Sequence, residues 1–224
     1  MKPKQRFVEM FFNNWSSKMA YILGYFAADG SMYKNPRGGC YIASTSCDLE
    51  LIQKVKKILR VSNCIEIYQS KHLNWKLRYT IQIGSKIVFN KFLELGLTPA
   101  KSLSLVFPTV PNNFVNHFIR GYFDGDGNAY FKLSKRGNRN GYAKHLHFCI
   151  RCGSKRFLET MRTTIENLYQ IGPGSLSYYS NAFSLAYSGK NVIKLYRFLY
   201  PNKSILHLTR KRLKLEEGIR CLGS

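Results

Sequence analysis

At 224 residues and 45% hydrophobic composition, the chain carries enough apolar side chains to bury a core without disulfides or a structural metal. Thirty-five lysines and arginines against 12 acids leave a formal charge of +23, far beyond what solubility requires, and imply a polyanionic partner, nucleic acid. No apolar run reaches 18 residues, the opening MKPKQRFVEMFF lacks a signal peptide's apolar core and cleavage site, and no basic amphipathic anchor is evident, so membrane partners are excluded and an intracellular location is expected.

Residues 1–17 are basic and aromatic without a clear period and read as a short arm. Residues 17–29 read as an apolar helix capped by Ser16 or Ser17. Segments 31–35 and 40–46 flank Pro36-Arg37-Gly38-Gly39, a hairpin turn. Asp48 then caps a helix with Leu49, Ile52, Val55 and Leu59 on one stripe. A second hairpin pairs 64–70 with 75–83, where Leu77, Tyr79, Ile81 and Ile83 alternate with Lys76, Arg78, Thr80 and Gln82. A third helix over 85–95 stops at Gly96. Residues 97–113 hold three prolines and no period, which makes them a tether between an N-terminal half, 1–96, and a C-terminal half, 114–224.

The second half repeats this order. Asn128, Tyr130, Lys132, Ser134 and Arg136 alternate with Ala129, Phe131 and Leu133; beyond the turn at 137–141, His145, His147, Cys149 and Arg151 alternate with Leu146, Phe148 and Ile150. A helix from 154 aligns Phe157, Met161, Ile165 and Leu168, Gly172-Pro173-Gly174 opens a lighter hairpin over 175–179 and 183–188, and helices follow at 190–200 and 209–220. The fold class predicted is α+β: two pseudo-symmetric αββαββα units that form an antiparallel β saddle, with helices on the apolar face and the polar face open. A β-ribbon fits the major groove of DNA and its alternate side chains reach base edges. Candidate contacts on that face are Ser31, Tyr33, Arg37, Lys76, Arg78 and Gln82 in the first half, and Asn128, Tyr130, Lys132, Arg136, His147 and Arg151 in the second.

The halves share more than an order of elements. AYILGYFAADG at 20–30 returns as FIRGYFDGDG at 118–127, so that Gly24, Asp29 and Gly30 recur as Gly121, Asp126 and Gly127. Each copy reads as an apolar helix ending at a glycine able to take the left-handed conformation, Gly30 and Gly127. Gly24 with Ala28, and Gly121 with Gly125, form small-residue stripes at helix interfaces that allow close backbone approach. Packed in parallel, the helices bring Asp29 and Asp126 side by side at the negative pole of both dipoles, where each carboxylate is disfavoured by roughly 0.3–1 kcal/mol and repels the other. A hard divalent cation with oxygen ligands is the simplest compensation.

On these motifs the chain resembles the single-chain, two-motif LAGLIDADG homing endonucleases, the copies being Ile22 to Gly30 and Ile119 to Gly127. The resemblance assigns the eighth-position acids, Asp29 and Asp126, as catalytic metal ligands, with backbone carbonyls of Ala28 and Gly125 beside them. The implied cofactor is Mg²⁺, with Mn²⁺ or Ca²⁺ as substitutes. The sixth position, often acidic in the family, is Ala27 in one copy and Asp124 in the other. The resemblance also implies a lysine from each half near the cleavage centre; Pro99-Ala100-Lys101-Ser102 and Pro201-Asn202-Lys203-Ser204 occupy matching places and nominate Lys101 and Lys203. The implied function is a monomeric, site-specific endonuclease that breaks both strands of a long DNA target by metal-dependent phosphodiester hydrolysis, in cytoplasm or nucleoid, or in an organelle if encoded there. The alternative is an RNA maturase acting on its host intron, or a DNA binder of the same fold without cleavage. Aspartate at both motif ends favours the enzyme, since a pure binder relieves the repulsion with asparagine.

Other chemistries fit less well. Six irregularly spaced cysteines read as reduced thiols, and Cys149-x-x-Cys152 on a strand sends its sulfurs to opposite faces, against zinc. His117, His145 and His147 have no acid-rich helix or cysteine cluster beside them, which favours groove contacts over a His-metal nuclease. No splicing residues bracket the chain as in an intein, and no segment is left for an added helix-turn-helix.

Overall fold

A computed structural model describes residues 3–72, 74–100, 103–135, 142–202 and 205–223. The chain divides into two compact units, Met1–Gly125 and Asp126–Ser224. The first holds α1 (Pro3–Phe11), α2 (Ser17–Asp29), β1 (Gly30–Lys34), β2 (Cys40–Ser46), α3 (Leu49–Leu59), β3 (Glu66–Tyr68), β4 (Arg78–Gly84) and α4 (Lys86–Glu94), and takes in all but the last residue of α5 (Val115–Asp126). The second holds β5 (Gly127–Lys135), β6 (Tyr142–Cys152), α6 (Lys155–Tyr169), β7 (Ser175–Tyr179), β8 (Ala182–Ser188), α7 (Lys190–Leu199) and α8 (Thr209–Gly223).

Each unit has one four-stranded antiparallel sheet, ordered β1-β2-β4-β3 in the first and β5-β6-β8-β7 in the second. The identical order establishes the two pseudo-symmetric halves. In each sheet period-two patterning separates core from polar face. Ile42, Ile81 and Ile83 are buried with Leu51, Ile52, Val55 and Leu59 of α3 and Val88, Phe89 and Phe92 of α4. Leu146, Phe148, Ile150 and Leu185 are buried in the second unit with Phe157, Met161 and Ile165 of α6 and Val192, Leu195 and Leu199 of α7. Each such side chain contributes about 1.5–3 kcal/mol of transfer free energy.

The structure departs from the sequence expectations in three places. The arm holds a helix, α1, with Val8 buried in it and Phe12 buried just beyond its end; Phe12 meets Phe92 edge-on at 4.8 Å, and the Ser85 hydroxyl donates to Glu9 at 2.9 Å. Phe7 and the doublet Phe11-Phe12 blur the period that would have marked it. The strand expected over 64–70 shortens to β3, an edge strand exposed along its length, and β4 starts only at Arg78, leaving Lys76 and Leu77 ahead of the ladder. Gly30 is extended, at φ −84° and ψ 151°, rather than left-handed, so α2 runs directly into β1. Glycine is required there for space, because an added Cβ would lie 2.4 Å from the Phe26 carbonyl oxygen. Gly127 likewise has no positive φ, whereas Gly38 in the first hairpin turn and Gly96 after α4 do. Within the proline-bearing segment, Leu97, Leu105 and Val110 are buried, which anchors it by apolar contact.

Candidate catalytic and nucleic-acid site

The small-residue stripes on α2 and α5 meet. A Cβ added at Gly24 would fall 2.0 Å from the Phe118 carbonyl oxygen, and one at Gly121 would fall 2.0 Å from that of Tyr21. Real side chains do not fit at such separations, so the helices touch through their backbones. One turn on, a Cβ at Gly125 would lie 2.5 Å from the Ala28 Cβ and 3.3 Å from the Asp29 carboxylate. Gly24 meets residue 118, Gly121 meets residues 21 and 25, and further along both helices Gly125 meets residues 28 and 29, so the helices run parallel.

The motif acids close their helices. Asp29, half-buried, is the last residue of α2, and Asp126, exposed, is the last of α5. Beneath Asp29 lies the buried Tyr25, whose hydroxyl accepts from Ser44 at 2.5 Å. Burial first, and then the negative charge of Asp29, push the Tyr25 phenol far above its usual range, so it stays protonated. Last-turn carbonyls of a helix lack intrahelical donors, and Ala28 and Gly125 belong to those turns. Among the described residues no group of three His, Cys, Asp or Glu forms a metal cage. What the helix ends offer is therefore carboxylate and carbonyl oxygen, a donor set that fits Mg²⁺ or Ca²⁺ and not zinc.

A polar cluster that sequence reasoning missed sits inside the helix contact. Asp124, only 1% exposed, accepts from the Tyr21 hydroxyl at 2.6 Å. Arg120 is fully buried, with its guanidinium 5.6 Å from the centre of the Tyr21 ring and Nη2 2.6 Å from His117 Nδ1. Burial, and then the neighbouring Arg120 charge, lower the His117 pKa to about 4, which leaves the imidazole neutral. The sixth-position acid is thus structural. The available signal was asymmetry of the repeat, because the counterparts of His117, Arg120 and Asp124 in α2 are Ala20, Leu23 and Ala27.

The sheets place the remaining candidates. In the first, Ser31 pairs with Ala43 and Ala43 with Gln82, Tyr33 pairs with Tyr41, and Thr45 pairs with Thr80, so these residues and Arg78 share one face. The Tyr33 and Tyr41 rings stack at 5.2 Å, and the Arg78 guanidinium lies 5.5 Å from the Trp75 ring. Arg37 is exposed in the hairpin turn and Lys76 is exposed ahead of β4. In the second sheet Asn128 pairs with Cys149, Tyr130 with His147, Lys132 with His145 and Arg151 with Ser184, again on one face opposite the core. Tyr130 and His147 stack at 5.3 Å. Partial burial, with Lys132 and His145 nearby, lowers the His147 pKa. A cleft of about 330 Å³ opens there, lined by Asp126, Asn128, Tyr130, Cys149, Arg151, Ser177, Tyr179 and Ser184. Lys101, Lys203 and Arg136 lie outside the described residues. No described helix is long and apolar enough to cross a membrane.

Residues 16–95 match the sequence model of the LAGLIDADG-like domain. No curated protein matches the chain. Among solved structures, it is similar to the LAGLIDADG meganuclease I-AabMI bound to uncleaved DNA, at 16% identity over 91% of this chain and 89% of that one, with a TM-score of 0.63. It is similar to the I-SmaMI LAGLIDADG homing endonuclease bound to cleaved DNA, at 13% identity over 94% and 95% of the two chains, TM-score 0.61. A third is the LAGLIDADG meganuclease I-CpaMI bound to uncleaved DNA, at 12% identity over 93% and 97%, TM-score 0.58. The chain therefore has the LAGLIDADG meganuclease fold over nearly its whole length, with two motif copies.

Proposed function

We propose that this chain is a monomeric, site-specific homing endonuclease that breaks both strands of duplex DNA by divalent-metal-dependent phosphodiester hydrolysis. The observation that carries the reading is the contact of Gly125 with Ala28 and Asp29, which runs the last turn of one motif helix against the acid that ends the other. A carboxylate kept at a negative helix pole is unfavourable for folding alone, and it recurs at the end of each motif helix of a chain with formal charge +23. Asp29 and Asp126 would hold the cation, with the carbonyls of Ala28 and Gly125 completing an all-oxygen set. Mg²⁺ bound there supplies charge neutralisation on the phosphate and a lowered pKa for attacking water. Lys101 and Lys203 are proposed to balance charge on the scissile phosphates. The polar sheet faces position the duplex through backbone contacts and read base edges.

The test is incubation of the protein and Mg²⁺ with a supercoiled plasmid carrying the gene's own insertion site. Linear product is expected, with Asp29→Asn and Asp126→Asn each retaining binding while losing cleavage of at least one strand. Full cleavage by either variant would remove that acid from the site. Tight binding of the host intron's RNA with an intact plasmid would instead establish a maturase.

A further inference from the structure

The cleft on the second sheet joins two functions that the sequence keeps apart. One wall carries Asp126, the proposed metal ligand, and another carries Arg151, on the same polar face of β6. Arg151 is exposed yet not loose. Its Nη2 donates to the carbonyls of Tyr179 at 3.0 Å and Ser180 at 3.4 Å, at the tip of the β7–β8 hairpin. Ser180 and Asn181 form the two-residue turn with positive φ of 50° and 58°, the geometry that matches strand twist. The turn thus fixes the two carbonyls, and they fix the plane of the guanidinium.

A held guanidinium of this kind recognises either a phosphate or a base edge. Phosphate sites gather several cations. Here Arg151 is the one lysine or arginine among the described lining residues. The neutral donors and acceptors around it, Asn128, Ser177 and Ser184, suit the edge of a base. The planar fork matches the O6 and N7 acceptors that guanine displays in the major groove. Because Asp126 lines the same cleft, a base met by Arg151 lies close to the proposed cleavage position.

Resting on the endonuclease reading, we propose that Arg151 is a specificity-determining residue that reads a guanine within the base pairs next to the cleavage position, in the half of the target bound by residues 126–224. The β7–β8 turn acts as its positioning element.

The experiment is selection of bound duplexes from a randomised library by the full chain, followed by mapping of the cut in the selected site and base-by-base substitution around it. Wild type is expected to prefer guanine over the other bases within about two base pairs of the cut, on one side only, by roughly 5- to 100-fold in Kd. Arg151→Lys keeps the charge but not the fork, so it is expected to lose that preference while retaining the salt dependence of binding. No guanine preference near the cut, or its survival in Arg151→Lys, overturns the assignment of Arg151 and leaves the nuclease reading intact. Failure of wild type to select or cut any duplex overturns both.

Discussion

The motif helices α2 and α5 occupy equivalent places in the repeat and make equivalent backbone contacts, yet the charged residues buried in the contact, Arg120 and Asp124, both come from α5. Gly24 and Gly121 each lie against a carbonyl of the other helix, a need imposed on both partners by close approach. The buried Arg120 and Asp124 have Leu23 and Ala27 as counterparts, and Tyr21, which donates to Asp124, has Phe118. Two copies of α2 would set Tyr21 against an alanine, and two copies of α5 would set Asp124 against a phenylalanine. Small residues thus permit helix pairing, while the one-sided polar contact is satisfied only by unlike copies.

This contrast breaks most severely at the shared feature. Gly24→Leu or Gly121→Leu forces backbone apart and is expected to cost about 3 kcal/mol or more, with loss of cooperative unfolding in urea. Gly125→Ala meets only the Ala28 methyl and the Asp29 carboxylate, so a milder loss is expected and the ranking of the three glycines tests the packing.

A smaller effect probes the asymmetry. Asp124→Leu removes the carboxylate that accepts from the buried Tyr21 hydroxyl and is expected to destabilise by about 1–3 kcal/mol. Adding Tyr21→Phe removes both partners, so the double variant should recover much of that loss. Equal instability of single and double variants would show that the pair contributes nothing specific.

The smallest effect is in pH. His117 is neutral when folded, with a pKa near 4, and takes up a proton near 6.5 once unfolded. A depressed folded pKa means that its contribution is present above about 6.5 and lost as pH falls toward 4. Allowing for partial exposure, this amounts to about 1 kcal/mol. In His117→Ala, which copies the residue at position 20, that part of the acid sensitivity should vanish from denaturation curves compared across the range.

Much of the scaffold was legible because its signals are local. Ile81 and Ile83 alternate with Thr80 and Gln82, and Ile52, Val55 and Leu59 of the stripe read on α3 are buried, whereas Leu49 at its start is half-buried and Leu51, which the stripe left out, is buried. The motif stripes marked small residues on each helix, and the contacts of Gly24, Gly121 and Gly125 lie along them. The helix α1 was not legible, because adjacent phenylalanines obscure its apolar face and its stability comes from Phe92 and Ser85, far away in sequence. Gly30 misled for a related reason. A glycine after a helix suggests a left-handed stop, but here it clears a contact with Phe26 as the chain enters a strand.

The amino-acid sequence alone determined the duplication, most elements of each half, the acids that end the motif helices and the large positive charge, since all four follow from neighbouring residues or from composition. Only the tertiary structure decided that Asp124 turns inward to Tyr21 while Asp126 stays exposed, and that Arg151 shares a cleft with Asp126. Periodicity gives the faces of a helix or strand, but when several faces carry charge, the fate of each is set by distant residues that supply a partner or exclude water.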